Sequence, residues 1–177
     1  ASKGALCVGV TVLTGAPIHD ALAVSRAVKA AVPACPIVWG GWHPSLFADQ
    51  CLAEPSVDIV VTGQGEVAFR EIVERLLAGE RVTGTFSKPL KDLNAFPAHD
   101  YSLIPVERYF DRKGARQIDY ISSQGCRFRC GFCADPAVFG RGWTGLFPVR
   151  IGEEVEELHR RYAFNDLAFQ DETFFTH

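Results

Sequence analysis

Short apolar runs and amphipathic stretches alternate through the first part of the chain. Residues 6–13 (LCVGVTVL) are rich in β-branched side chains and show no polar face, which predicts a buried strand. Asp20 offers an N-cap for a helix running to about Val32, where Pro33 ends it. Residues 36–39 predict a second strand leading into Gly40-Gly41, and residues 57–62 (VDIVVT) a third leading into Gly63 and Gly65. Phe69, Ile72, Val73, Leu76 and Leu77 then recur at helical spacing as one stripe, with Gly79 as the C-terminal stop. This order predicts an α/β fold over residues 1–80, a Rossmann-like doubly wound parallel sheet.

The pattern changes over residues 81–115. Pro89, Pro97 and Pro105 interrupt every run, and no period is sustained, so this stretch reads as an ordered linker. Residues 116–177 resume the alternation with a strand at 117–122, then a cysteine loop. A helix from about Pro148 carries Ile151, Val155, Leu158 and Tyr162 on one side. A strand at 167–170 follows, running into Asp171-Glu172. The second unit is thus one βαβ. The chain starts inside a strand-like run and ends without a helix stop, so it is expected to be an interior piece of a longer protein.

Composition narrows the class. A hydrophobic share of 47% over 177 residues is that of a globular chain, and a net charge of -3 argues against nucleic acid as a partner. No run approaches the roughly 20 apolar residues that span a bilayer, and none resembles a signal peptide. No transmembrane segment and a cytoplasmic location are therefore expected. Thiols stay reduced in that compartment, so clustered cysteines there favour metal or redox chemistry.

Three of the six cysteines fall in SSQGCRFRCGFCAD, as Cys126-x3-Cys130-x2-Cys133. A structural zinc site normally has four ligands, and the nearest candidates for a fourth, His159 and His177, lack the usual paired spacing. Cys130-Gly-Phe-Cys133 is also a CxxC, the spacing of thiol-redox pairs, but that reading leaves Cys126 unexplained and Pro136, Gly140 and Gly142 soon follow. A [4Fe–4S] cluster held by three thiolates would keep one iron open for a small molecule. Gly131 would let the backbone pass close to it.

The cysteine spacing, with the aromatic Phe132 before the last thiol and a strand before the loop, resembles the radical SAM superfamily. The resemblance implies that Cys126, Cys130 and Cys133 ligate a [4Fe–4S] cluster whose open iron chelates S-adenosylmethionine (SAM). Reductive cleavage of SAM would then yield the radical that abstracts hydrogen. It places Phe132 near the adenine and Gln170, Asp171 and Glu172, in a form like DD-x-F, near the methionyl ammonium. Asp171 is equally suited to a plain helix N-cap.

Thr11-x-Leu13, followed after 26 residues by Gly40-Gly41, resembles the cobalamin-binding fingerprint SxL…GG, with threonine keeping the hydroxyl of serine. The run WGGWHP and the GQGE of Gly63, Gly65 and Glu66 are likewise similar to cobalamin domains fused ahead of radical SAM barrels. The resemblance assigns Thr11, Leu13, Gly40, Gly41, Gly63, Gly65 and Glu66 to cobalamin. The family's DxHxxG motif is missing, and His43 does not match that histidine's place. Alone, glycines at strand ends require only an α/β sheet.

Together these resemblances imply a fragment of a cobalamin-binding radical SAM enzyme: residues 1–80 as the cobalamin domain, 81–115 as linker, and 116–177 as the first βαβ of a partial TIM-type barrel. Methyl transfer to an unactivated centre, or ring formation, is the implied reaction. A small-molecule substrate and an electron donor such as flavodoxin or ferredoxin are the implied partners. The alternatives are a corrinoid or metal-carrying module without radical catalysis, or a CxxC redox protein. Cys7 and Cys51 read as small core residues, Cys35 as part of a proline-flanked turn, and Trp39, Trp42 and Trp143 as packing residues. Arg127, Arg129 and Arg141 are cations near the loop with no assigned role.

Overall fold

The structure, a computed structural model, describes residues 4–174. Its elements in chain order begin with β1 (Val8–Thr11), α1 (Pro17–Ala31), β2 (Ile37–Gly40), α2 (Trp42–Leu46), α3 (Ala48–Leu52), β3 (Ile59–Thr62), α4 (Gly65–Leu77) and β4 (Gly84–Ser87). They continue with α5 (Val106–Lys113), β5 (Gln117–Tyr120), β6 (Ser123–Gly125), α6 (Asp135–Phe139), β7 (Trp143–Gly145), α7 (Pro148–Tyr162) and β8 (Asp166–Phe169). The chain divides into two units: residues 1–90 with 132–140, and residues 91–131 with 141–177.

The first unit is a parallel sheet in the order β1-β2-β3-β4. Alternation along each strand sends side chains to opposite faces. Ile37, Trp39 and Val60 therefore meet Ala21 and Cys51, with Ile18, Leu22, Ala48 and Leu52 packed around them. Val38, Ile59 and Val61 meet Ala68, Ile72 and Val82 on the other face. Helices cover both faces, as a doubly wound fold requires, and this explains why β2 and β3 lack a polar side. Trp39 is a packing residue: it is 2% exposed, and its indole Nε1 donates to the buried Ser25 Oγ at 2.9 Å.

Local details differ from the expectations. Helix α1 starts at Pro17, not after Asp20. Proline's fixed φ suits the first helical position, which leaves Asp20 as a first-turn carboxylate instead of a cap. The buried line of α4 is Ala68 and Ile72, whereas Leu77 is 72% exposed. Phe69 lies at the rim of the stripe, its ring 3.6 Å from the position a Cβ would take on Gly9 of β1.

The linker expected over residues 81–115 holds more order than its prolines suggested. β4 pairs with β3 from Ile59↔Gly84 to Thr62↔Ser87 and completes the first sheet. Leu93, Val106 and Phe110 belong to the core of the second unit, so residues 91–115 are part of that unit. The prolines flank these elements, and 3-10 turns at Leu93–Ala95 and Tyr101–Leu103 leave no sustained period to read.

In the second unit β5 and β8 pair in parallel, from Gln117↔Asp166 to Tyr120↔Phe169. Helix α7 connects them and buries Leu158 against Ile118 and Tyr120, with Ile151, Val155 and Tyr162 packed alongside. This is the βαβ that the periodicity indicated. The strand expected at 117–122 is split, however. β5 ends at Tyr120, and β6 departs to pair antiparallel with β7. No described helix is long and apolar enough to cross a membrane.

Candidate functional site

Three loops at the C-terminal ends of β1, β2 and β3 are joined by hydrogen bonds. Thr11 and Gly40 are partners in the β1–β2 register, so the two fingerprint elements are neighbours in space. Gly41 has φ 94° and ψ -163°, a backbone region open essentially to glycine alone. A Cβ there would stand 3.0 Å from Thr11 Cγ2 and 3.2 Å from the Val12 carbonyl oxygen. The His43 amide donates to that same Val12 carbonyl at 3.0 Å. Gly41 is thus required by both conformation and close approach.

Ser45 connects this loop to the next. Its hydroxyl donates to the Gly41 carbonyl at 2.7 Å and accepts from the Gly63 amide at 2.9 Å. Sequence reasoning passed over Ser45, although it stands directly after the WGGWHP run. Gly63, at φ 67°, is tight as well: a Cβ would lie 3.3 Å from the Val138 carbonyl of α6. Gly65 and Glu66 open α4, where the carboxylate sits favourably at the positive end of the helix dipole. Leu13 is 51% exposed at the rim. His43 Nδ1 lies 3.4 Å from Thr14 Oγ1, and its ring contacts Phe47. This rim is where open parallel sheets bind ligands, at the carboxyl ends of their strands.

The cysteine loop leaves β6 directly after Gly125, which pairs with Trp143 of β7. Its root is therefore held by an antiparallel ladder instead of hanging from one strand. Cys126 is half-buried, Cys130 and Cys133 are exposed, and all three are free thiols. Phe132 is 94% exposed. The Arg127 guanidinium stacks 5.6 Å from the Trp143 ring centroid, so this arginine packs at the root. Among the described residues, no three His, Cys, Asp or Glu side chains are already gathered in a metal-holding arrangement. The donor chemistry fits an iron–sulfur cluster nonetheless: the loop supplies thiols alone, the soft ligands such clusters take, and metal binding itself draws ligands together. Of the zinc candidates, His159 edges against Phe164 on the α7 side, and His177 lies outside the described residues. The helix that follows Cys133 is the five-residue α6, not the regular helix that a redox CxxC opens.

The segment 170–173 follows β8. Among the described residues Asp171 opens no helix, and its side chain turns back toward the strand before the cysteine loop. Its carboxylate Oδ1 accepts from the Ser122 amide at 3.1 Å, the Ser122 hydroxyl at 2.9 Å and the Ser123 hydroxyl at 2.5 Å. Gln170 Nε2 donates to Asp119 Oδ1 at 3.1 Å. Behind the sheet, the buried Tyr120 phenol donates to Glu154 Oε2 at 2.8 Å, while Arg150 Nε holds the other carboxylate oxygen at 2.6 Å. Burial and the Glu154 contact push the Tyr120 phenol well above its ordinary range, so it stays a neutral donor. Nothing in the sequence pattern marks Ser122 and Ser123, though only Gln124 and Gly125 separate them from Cys126.

A family model, the B12 binding domain, matches residues 1–73. An uncharacterized methyltransferase of Pyrococcus horikoshii is 31% identical over 183 residues, which covers 94% of this chain and 39% of that protein. By these matches the first unit carries a B12-binding domain, and the chain is related to a methyltransferase over nearly its whole length. The anaerobic magnesium-protoporphyrin IX monomethyl ester cyclase of Synechocystis is 24% identical over 77% of this chain and 30% of its own length. Among solved structures, the radical S-adenosylmethionine methyltransferase TsrM of Kitasatospora setae, with cobalamin and a [4Fe–4S] cluster bound, matches at TM-score 0.74. That match covers 94% of this chain and 37% of TsrM at 16% identity, which shows a shared fold. The chain spans well under half the length of each of these relatives. The doubly wound α/β fold stands as the periodicity indicated, and the B12-binding match to residues 1–73 agrees with the resemblance.

Proposed function

We propose that this chain carries the cofactor-binding part of a cobalamin-dependent radical SAM enzyme. The observation that carries the reading is a three-thiol loop rooted on the β6–β7 ladder, just past the first strand of a βαβ unit, in a chain whose other unit is a B12-binding domain. Cys126, Cys130 and Cys133 would hold a [4Fe–4S] cluster, with SAM completing the open iron. Phe132, exposed on the loop, offers a face for the adenine, and the segment Gln170 to Glu172 lies past β8 for the methionyl end. In the first unit Thr11, Leu13, Gly40, Gly41, Gly63, Gly65 and Glu66 would border the cobalamin. The glycines keep side chains out of the rim, and Ser45 fixes two of its loops. When bound, the cluster supplies the electron that cleaves SAM, and cobalamin supplies a methyl carrier.

Its relatives include methyltransferases and a cyclase, so the reaction assigned is methyl transfer to an unactivated centre, or ring formation, on a small molecule. A reduced carrier of the flavodoxin or ferredoxin type would supply the electron, and a cytoplasmic setting would keep the thiols reduced. The test is anaerobic reconstitution with iron and sulfide, read by EPR of the reduced chain with and without SAM. A cluster signal that SAM perturbs, and that joint Cys126→Ala, Cys130→Ala and Cys133→Ala substitution abolishes, is the expected result. Zinc or a Cys130–Cys133 disulfide in a folded chain that takes up no cluster would refute the reading.

A further inference from the structure

We infer that Asp171 is a positioning residue that latches the root of the cysteine loop, and that it does not itself bind SAM. The inference rests on the proposed cluster site and assigns a different task to one residue that the family resemblance placed at the methionyl ammonium. Asp171 lies past the end of β8, yet its carboxylate reaches across to the two serines that lead into the loop. Ser122 and Ser123 are both buried, at 4% and 3% exposed. Three donors converge on Oδ1: the Ser122 amide at 3.1 Å, the Ser122 hydroxyl at 2.9 Å and the Ser123 hydroxyl at 2.5 Å. Oδ2 has a longer approach to the same Ser122 amide, at 3.3 Å.

Oδ1 thus accepts three hydrogen bonds and Oδ2 leans on the same Ser122 amide, so both oxygens are oriented toward the root of the loop. Hydrogen bonds to a charged acceptor each contribute about 1.5–3 kcal/mol, so turning the carboxylate away would cost more than one new contact returns. Two residues on, Thr173 repeats the connection. Its hydroxyl donates to the Gly125 carbonyl at 3.2 Å, next to Cys126, and its carbonyl accepts from Trp143 Nε1 at 3.4 Å. Asp171 and Thr173 therefore both bind the root of the loop, and Glu172 stands between them. The acidic contact to the methionyl end then falls to Glu172.

The geometry provides a discriminating variant. One oxygen takes the three shorter bonds, so Asp171→Asn can keep them with its amide oxygen while losing the negative charge. Asp171→Ala loses both. The experiment compares wild type, Asp171→Asn, Asp171→Ala, the double variant Ser122→Ala/Ser123→Ala, and Glu172→Gln. Each is reconstituted anaerobically and scored for the rate of iron loss to a chelator and for the SAM concentration that half-shifts the cluster EPR signal.

The latch predicts that Asp171→Asn stays within about twofold of wild type on both readouts, whereas Asp171→Ala and the double serine variant both lose iron about tenfold faster. Glu172→Gln should hold its iron and need about tenfold more SAM. If Asp171→Asn keeps its iron but loses its response to SAM, Asp171 is a SAM ligand and the inference is overturned. In the apo chain, the Ser122 amide should resist hydrogen exchange in wild type and Asp171→Asn and lose that protection in Asp171→Ala. Equal protection in all three would refute the latch. A wild type that takes up no cluster refutes the proposed function instead, and the exchange measurement still decides the latch.

Discussion

Gly41→Ala tests whether the rim of the first unit is built as described. The residue sits at φ 94° and ψ -163°, where a side chain costs about 1–3 kcal/mol of backbone strain. The new methyl would also stand 3.0 Å from Thr11 Cγ2, 3.2 Å from the Val12 carbonyl oxygen and 3.3 Å from the Val12 nitrogen. Two of those neighbours are backbone and cannot swing aside, and overpacking of this kind adds about 1–3 kcal/mol. The two terms sum to about 2–6 kcal/mol, which lowers the melting temperature of a unit this size by roughly 10 °C or more. Gly79→Ala is the control. It too has positive φ, at 78°, but nothing lies within 4 Å of its added Cβ, so it should cost only about 1 kcal/mol. Adding Thr11→Ser to Gly41→Ala removes the nearest atom, Cγ2, and should recover part of the loss. Thermal unfolding followed by circular dichroism reads all four proteins. If Gly41→Ala melts no lower than Gly79→Ala, or if Thr11→Ser restores nothing, the argument from close approach is wrong.

Other outcomes follow from the same structure. Ser45→Ala leaves the Gly63 amide and Gly41 carbonyl without their bridge, so in the proposed holoprotein cobalamin retention on gel filtration should fall while α4 stays helical. Trp39→Phe removes an indole whose partner Ser25 is fully buried, and should cost about 1–3 kcal/mol by urea denaturation. The double variant with Ser25→Ala should cost less than the sum of the singles, and full additivity would refute the bond. Arg26 holds the Glu54 carboxyl down from 4.5 to about 2, chiefly through their hydrogen bonds. The unfolded chain then binds the proton more readily than the folded one. The stabilisation is fully present above the unfolded value and fades as pH falls from about 4.5 to 2, amounting to about 1 kcal/mol after solvent screening of the exposed Arg26. Glu54→Gln should flatten the melting profile across that interval.

Local patterning determined much of this protein. The doubly wound sheet was legible because β2 and β3 are buried on both faces, so their apolar runs had to be continuous. Helix α7 was legible because one stripe of Ile151, Val155, Leu158 and Tyr162 faces a core and Pro148 fixes its start. The three cysteines stood out by their spacing, since they fall within eight positions of one loop. β4 and α5 were hidden among prolines because short elements bury too few side chains to leave a period.

The linkages between loops were not legible either, for a different reason. Ser45 acts on Gly63, and Asp171 on Ser122 and Ser123, across 18 and 48 to 49 positions of sequence. A serine that bridges two loops is written no differently from one in solvent. Only the pairing of β5 with β8, and the turn of β6 away toward β7, brings Asp171 to those hydroxyls. Hydrogen bonds of this kind depend on where strands end in space, and that is set by the packing of the whole unit. The sequence by itself determined which donor groups stand together along the chain. The tertiary structure decided which of the acidic residues after β8 is committed to holding the loop in place.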